Sequence, residues 1–172
     1  LLWRHEHDPG GDMNNSTPVW GDDHVLFMTA AYNSGSRAIR LTREGEDTQV
    51  EELYYTTGLK AMFGNVLRLG DYVYGSSGDF GPAFLVALNV TTGEEVWSLR
   101  GYGRSSFVHA DGKAIMLTED GQLVLARLSP DGMTVLASAE LLETTAWTAP
   151  TLVGTRLYVR DRAKIMALDL GG

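Results

Sequence analysis

The chain has 172 residues, 44% of them hydrophobic, and sets 14 Lys+Arg against 22 Asp+Glu for a formal net charge of −8. That length and apolar content suit one domain with a real core and exclude global disorder. The acidic balance argues against nucleic acid or an anionic membrane as the main partner, since both need a basic face. Cysteine is absent, which excludes a disulfide framework, thiolate zinc sites, cysteine nucleophiles and CxxC redox chemistry.

The chain opens Leu1-Leu2-Trp3-Arg4-His5-Glu6, which does not read as a signal peptide. It is expected to be a piece of a longer protein, with any targeting signal upstream. No apolar run approaches the roughly 18 residues of a membrane-spanning helix. His5-Glu6-His7 places two imidazoles on one face of an extended segment, and imidazole pairs bind zinc when a third ligand converges. Asp8 or His24 could supply that ligand only through tertiary packing, so two surface histidines are the plainer reading. The stretch from Asp8 to Asn15 is rich in oxygen ligands but lacks the Asp-x-Asp-x-Asp-Gly spacing of a calcium loop, and it reads as a solvated connection. Asn14, Asn15 and Asn89 each begin a short glycosylation sequon.

From Ser16 onward the sequence is punctuated. Gly21-Asp22-Asp23, Gly70-Asp71, Asp111-Gly112 and Gly154-Thr155 each separate two short apolar runs. Gly and Asp tolerate the positive φ of tight hairpin turns. The following runs, Val25–Met28, Tyr72–Tyr74, Ala114–Leu117 and Leu157–Val159, are too short for stable helices and suit buried strands. A second strand follows each of them, at Ala38–Leu41, Val86–Asn89, Leu125–Leu128 and Met166–Asp169, and a Gly-bearing turn comes next. A helical reading survives only for Gln49–Tyr55, whose β-rich ends favour an outer strand.

These second strands end at 41, 89, 128 and 169, a period of about 43 residues with several short strands in each, which is the signature of propeller blades. A blade buries neither face alone, so its strands read as continuous apolar runs. The expected fold is all-β: about four blades, near 16–58, 62–102, 104–145 and 147–172, with residues 1–7 as an outer strand, forming part of a larger propeller of seven or eight blades. An ordinary sandwich with hairpins at chance spacing is the alternative.

The segment Ala87-Leu88-Asn89-Val90-Thr91-Thr92-Gly93-Glu94-Glu95-Val96-Trp97 resembles the A-x-D-x-x-T-G-x-x-x-W motif of the PQQ-like (pyrroloquinoline-quinone-like) propeller repeat, with Asn89 in place of the Asp. That family includes quinoprotein dehydrogenases and non-catalytic outer-membrane assembly propellers. The resemblance implies that Trp97 docks between blades. Tyr54 stands near the corresponding place in the first repeat and Leu136 in the third, while the fourth keeps Ala167, Asp169 and Gly172. Trp3 resembles the docking Trp of an outer strand, so Leu1–Arg4 is expected to pair beside Lys164–Asp169, in the same molecule or a second copy, or to belong to an absent blade. Open blade edges make self-association possible.

The starts of the innermost strands repeat small hydroxyl or amide residues in one register. Ser16, Thr17, Asn65, Ser106 and Thr148, with Trp147, Met62 and Phe63 nearby, are expected at the mouth of the central channel, where they could hold a protein segment or small ligand or merely satisfy backbone and water. Gly75–Gly81 reads as a long hairpin tip whose Asp79 and Phe80 could face a partner, since it lacks the Lys and helix of a phosphate loop. In the quinoprotein branch the quinone is sandwiched by a Trp and often a vicinal cysteine pair, beside a calcium held by Glu, Asn and Asp. This chain has no cysteine, and no Trp-Asp or Asp-Tyr cluster lies at the channel positions that the resemblance implies. The expectation is therefore a non-catalytic binding scaffold without cofactor or metal, in the periplasm or outside the cell as the resemblance implies. A quinoprotein dehydrogenase segment is the alternative.

Overall fold

Two-residue turns set the register of the blades. Gly70 (φ +57°), Asp111 and Gly112 (φ +50° and +65°) and Gly154 (φ +59°) adopt the left-handed backbone such turns need. The computed structural model describes residues 1–9 and 15–171, and every regular element in it is a strand. The first sheet contains β1 (Val19–Trp20), β2 (Val25–Thr29), β3 (Ser36–Glu44) and β4 (Asp47–Thr56). The second contains β5 (Leu67–Leu69), β6 (Tyr72–Ser77), β7 (Phe84–Asn89) and β8 (Glu95–Leu99). The third contains β9 (Ser105–Ala110), β10 (Lys113–Thr118), β11 (Gln122–Ser129) and β12 (Gly132–Glu140). The fourth contains β13 (Thr151–Val153), β14 (Arg156–Arg160) and β15 (Ile165–Asp169). Each is an antiparallel meander in chain order. Gln49–Tyr55 lies within β4, so its strand reading holds.

Counting from the inner turns aligns the blades. One cross-strand row reads Val19–Phe27–Ala38–Tyr54 in the first blade and Leu67–Tyr74–Ala87–Trp97 in the second. In the third it reads Val108–Ile115–Leu125–Ala137, and in the fourth Thr151–Tyr158–Ala167. A bulge follows this row in the first three blades, at Ala38/Ile39, Ala87/Leu88 and Leu125/Ala126. The extra residue bends the outer strand and increases its twist. The register also corrects one expectation: the third-blade counterpart of Trp97 is Ala137, five residues after Gly132 where Trp97 lies four after Gly93, and Leu136 is the unpaired bulge residue, as Val96 is in the second blade.

The core sits between blades. Val25, Phe27, Leu59, Val73 and Leu88 fill the first interface with Tyr54 at its margin. Leu85, Phe107, Met116 and Val124 fill the second with Trp97. Ile115, Leu117, Leu142, Leu157 and Val159 fill the third. Complete burial of a Leu or Phe side chain stabilises by roughly 2 kcal/mol before entropy is counted.

Leu1–His7 does not form the expected outer strand. Residues 1–9 carry no strand assignment, and β15 has β14 as its sheet neighbour. The segment is held on the first blade instead. His5 Nε2 lies 2.9 Å from Glu52 Oε2 on β4, and the Ser34 hydroxyl donates to the Asp8 carbonyl at 2.6 Å. Glu52 is cross-strand to Ile39, on the face opposite the Phe27–Ala38–Tyr54 row, and Ile39 is fully buried. These polar anchors draw the segment to that face. Most of the oxygen-rich loop, residues 10–14, and the glycine at 172 lie outside the described residues.

Candidate functional site

The loops joining one blade to the next, and those between each blade's second and third strands, converge on one rim, because both leave the same end of the sheets. A chain of polar contacts crosses the blades there. Tyr32, in the first blade's loop, meets Phe80 of the second edge-on at 5.5 Å. Lys60 Nζ lies 3.6 Å from Asp79 Oδ2. Arg104 donates to the Asp79 and Gly81 carbonyls, the latter at 2.9 Å, and pairs with Glu119 Oε1 at 3.0 Å. The other Glu119 oxygen accepts from Trp147 Nε1 at 3.2 Å. Trp147 then packs on Phe63, with centroids 4.4 Å apart, and carries the Arg162 guanidinium 4.8 Å from its ring centroid.

Electrostatics keep this rim ionised and ordered. The backbone N–H of Phe80 holds the Asp79 carboxyl below its usual range against partial burial, assisted by Asn33 and Lys60. Asp161, in the loop between β14 and β15, is 5% exposed. Its Oδ1 accepts from the Ala163 and Lys164 amides at 2.8 Å, and its Oδ2 from Glu143 and Thr144 at 3.2 and 3.1 Å. Burial pushes this carboxyl up, but the converging amides outweigh it and hold it far below the carboxylate range. The cage ties the β12–β13 connection to the β14–β15 loop, close to Trp147.

The expected mouth residues divide by what they already bind. Both ends of the Asn65 amide are used: Nδ2 donates to the Phe107 carbonyl at 3.0 Å, and Oδ1 accepts the Phe107 N–H at 2.8 Å. Asn65 thus pins the second blade to the third. Ser106, beside it, is 4% exposed, and Ser16 is 7% exposed with a hydroxyl that has no partner among the described residues. Thr17 is exposed and Thr148 half-buried. Trp147 is 40% exposed and belongs to the ring cluster above. Among the described residues no hydrogen bond or ring contact links Ser16 or Thr17 to Trp147. Arg104, Glu119 and Arg162 escaped sequence reasoning, because isolated charges in loops carry no pattern.

Neither histidine of the N-terminal pair gathers a ligand set. His5 is engaged with Glu52, and the His7 imidazole is held below its usual pKa by burial and by Arg37. Among the described residues no three His, Asp or Glu side chains converge as a cation requires.

No protein-family model matches the chain, and no curated protein matches it in sequence. Solved structures do match. BamB from Moraxella catarrhalis aligns with a TM-score of 0.61 and 21% identity over 90% of this chain and 43% of its own. The chain folds as part of a β-propeller. A chain of the nidogen/laminin complex aligns with this propeller arc at a TM-score of 0.54 and 15% identity, over 86% of this chain and 56% of that one. Citrobacter koseri AztD gives 0.53 and 18%, over 86% and 42%. The arc therefore spans about half or less of these chains, and at such identities the likeness establishes the fold.

The polar residues that end β7 and β15 have visible tasks in the arc. Asn89 Oδ1 accepts the Thr91 and Thr92 amides at 2.9 and 3.0 Å. Asp169 Oδ1 does the same for Gly171 at 3.0 Å. An oxygen acceptor is what this turn uses, and both Asn and Asp supply one.

Proposed function

We propose that the arc is a non-catalytic, PQQ-like propeller scaffold that binds a protein partner at the rim of its connecting loops. The observation that carries this reading is the pair of large aromatics held out to solvent there, Phe80 at 77% and Trp147 at 40% exposure. Rigid aromatics lose little side-chain entropy on binding and dominate the energetics of protein interfaces. Their immediate supports are Tyr32 under Phe80 and Phe63, Glu119 and Arg162 around Trp147. Thr148, next to Trp147 in the chain, offers an adaptable hydrogen bond there. Propeller neighbours that include a chain from a nidogen/laminin complex agree with a scaffold role. The PQQ-like resemblance extends the reading to a periplasmic or extracellular location.

The test is site-specific photo-crosslinking in the producing cell. A photoreactive residue at Phe80 or Trp147 is expected to yield a discrete adduct, whereas one at Glu46, in the exposed β3–β4 turn at the other end of the blades, is not. Equal labelling from both ends, or none from the rim, rejects the reading. Dye-linked alcohol oxidation on adding pyrroloquinoline quinone and calcium would favour the dehydrogenase alternative.

A further inference from the structure

Phe80 lies in a loop of the second blade and Trp147 in the connection from the third to the fourth, yet one side chain reaches the supports of both. Arg104 immediately precedes β9 and Glu119 immediately follows β10. The Glu119 N–H donates 2.7 Å to the Arg104 carbonyl, which carries the ladder one residue further and fixes both positions on the third blade. From there the Arg104 guanidinium works in three directions. Its Nη2 donates to the carbonyls of Asp79 and Gly81, the residues on either side of Phe80, the latter at 2.9 Å. Its Nη1 donates 3.0 Å to Glu119 Oε1, and its Nε 3.2 Å to the Met62 sulfur. Glu119 Oε2 then accepts from Trp147 Nε1 at 3.2 Å, and the Glu119 carbonyl accepts the amide of Ala146, next to Trp147, at 2.9 Å. The Arg104 and Glu119 side chains are each only 19% exposed, so this charge-assisted pair is largely withdrawn from water. From the first blade, Tyr32 meets the Phe80 ring edge-on at φ +57°, a left-handed conformation that bulky residues rarely adopt. Such strain persists where the surrounding structure imposes it.

We infer that Arg104 is the positioning residue of the rim: it holds the Phe80 loop by its backbone and, through Glu119, holds Trp147, so that the two exposed rings meet a partner as one pre-set pair. This role rests on the partner-binding reading proposed above and adds how the rim is made ready to bind. Arginine suits the position because its planar fork can serve two carbonyls and a carboxylate at once, whereas lysine carries the charge on a single flexible point. Rings fixed before association lose little freedom on binding, and the affinity gained is that of preorganisation. Among the described residues no hydrogen bond or ring contact joins Arg104 to Trp147, or the Glu119 side chain to the loop that carries Phe80.

Two substitutions are therefore each read at the ring they do not touch, in the 172-residue chain. Arg104→Lys is read at the indole N–H resonance of Trp147. Glu119→Gln is read at the fluorine signal of a fluorinated phenylalanine placed at position 80. Each signal is expected to move by more than its linewidth, while the indole resonance of Trp97, held by Ser129 in the second blade interface, stays in place. In producing cells, Arg104→Lys is expected to cut the adduct from a photoreactive residue at Phe80 by about fivefold or more, since the ring must then be ordered on binding. Should Arg104→Lys fail to fold, Glu119→Gln decides by its own signal and by the same crosslinking. An unmoved signal at either ring in a folded variant, a Trp97 resonance that moves as far as the ring signals, or an undiminished adduct overturns the positioning role and leaves the rim reading intact. No adduct from the otherwise wild-type chain rejects the rim reading, and this role with it.

Discussion

Trp97 on the outer strand of the second blade donates its indole N–H to the carbonyl of Ser129 in the third, at 2.9 Å. The ring also lies 5.7 Å from Tyr74 in its own row and packs with the cluster around Phe107 and Met116. One side chain thus closes an edge and joins two blades. Trp97→Phe keeps most of the packing and leaves the carbonyl to water, so a loss of about 1 kcal/mol is expected. Trp97→Ala should cost about 3 kcal/mol, the low end for a truncated core aromatic, because the ring is half-buried. Urea unfolding of both variants checks the pair, and equal losses would show that packing contributes nothing beyond the hydrogen bond.

Gly93 carries two constraints that can be separated. Its φ is +75°, and Tyr54 leaves no room for a Cβ. Gly45 has φ +62° in a comparable turn with nothing within 4 Å of a built Cβ. Gly45→Ala should therefore cost about 1 kcal/mol from backbone strain alone. Gly93→Ala should cost about 2–4 kcal/mol, with the excess arising from displacement of the Tyr54 ring. Burial pushes the Tyr54 hydroxyl pKa upward, and its oxygen has no hydrogen-bond partner among the described residues. Tyr54→Phe is accordingly expected to be neutral or stabilising in the same melts.

Asn65 spans two blades with both ends of one amide. Asn65→Ala strips partners from the Phe107 N–H and carbonyl, and a loss of about 2 kcal/mol is expected. Asn65→Asp retains the acceptor for the N–H but sets a carboxylate oxygen against the Phe107 carbonyl. It should be destabilised at pH 7 and recover part of the loss below pH 4, when protonation restores a donor. Thermal melts at the two pH values test this, and a pH-independent deficit counts against the bidentate geometry.

Local chemistry made the blades readable before any coordinates. Turn pairs such as Gly70-Asp71 and Asp111-Gly112 act through their own φ, so they mark hairpins wherever they occur, and the spacing of four such hairpins indicates blades. Trp97 was legible as a docking residue only through the resemblance of Ala87–Trp97 to the PQQ-like repeat, and Tyr54 through the parallel place in the first repeat. The Leu136 assignment failed because counting from the turn glycine assumes equal turns: Trp97 lies four residues after Gly93 but Ala137 five after Gly132, and one residue moves a side chain to the other face. The placement of Leu1–His7 failed for another reason. An apolar pair beside a Trp is compatible with a strand, but its address is decided by Glu52 and Ser34, far away in sequence. Arg68 was equally hidden. Its guanidinium donates to Asp23 at 2.6 Å and to the Val25 carbonyl at 2.7 Å, latching the first two blades. Nothing in Leu67-Arg68-Leu69 distinguishes that from a solvated charge.

Asp161 gives the arc an acid-sensitive joint. Its pKa in the folded chain lies far below the value of about 3.9 expected for an unfolded Asp. The unfolded chain therefore takes up a proton first as pH falls. The stabilisation is fully present above about pH 5 and is lost progressively below pH 4, because its source is the set of four amides that bind the ionised form. Asp161→Asn replaces one acceptor oxygen with an N–H₂ group that faces an amide donor, so the variant should melt well below the wild type at pH 7. The gap should narrow as the pH is lowered to 3, where the wild type has lost part of its advantage and the variant has no such group to titrate. His7, held below its usual pKa, destabilises both proteins alike as pH falls below about 6.5, and so cancels from the difference. Melting curves of the two proteins between pH 7 and 3 measure the gap directly, and a gap that stays constant would show that the Asp161 cage does not depend on its charge.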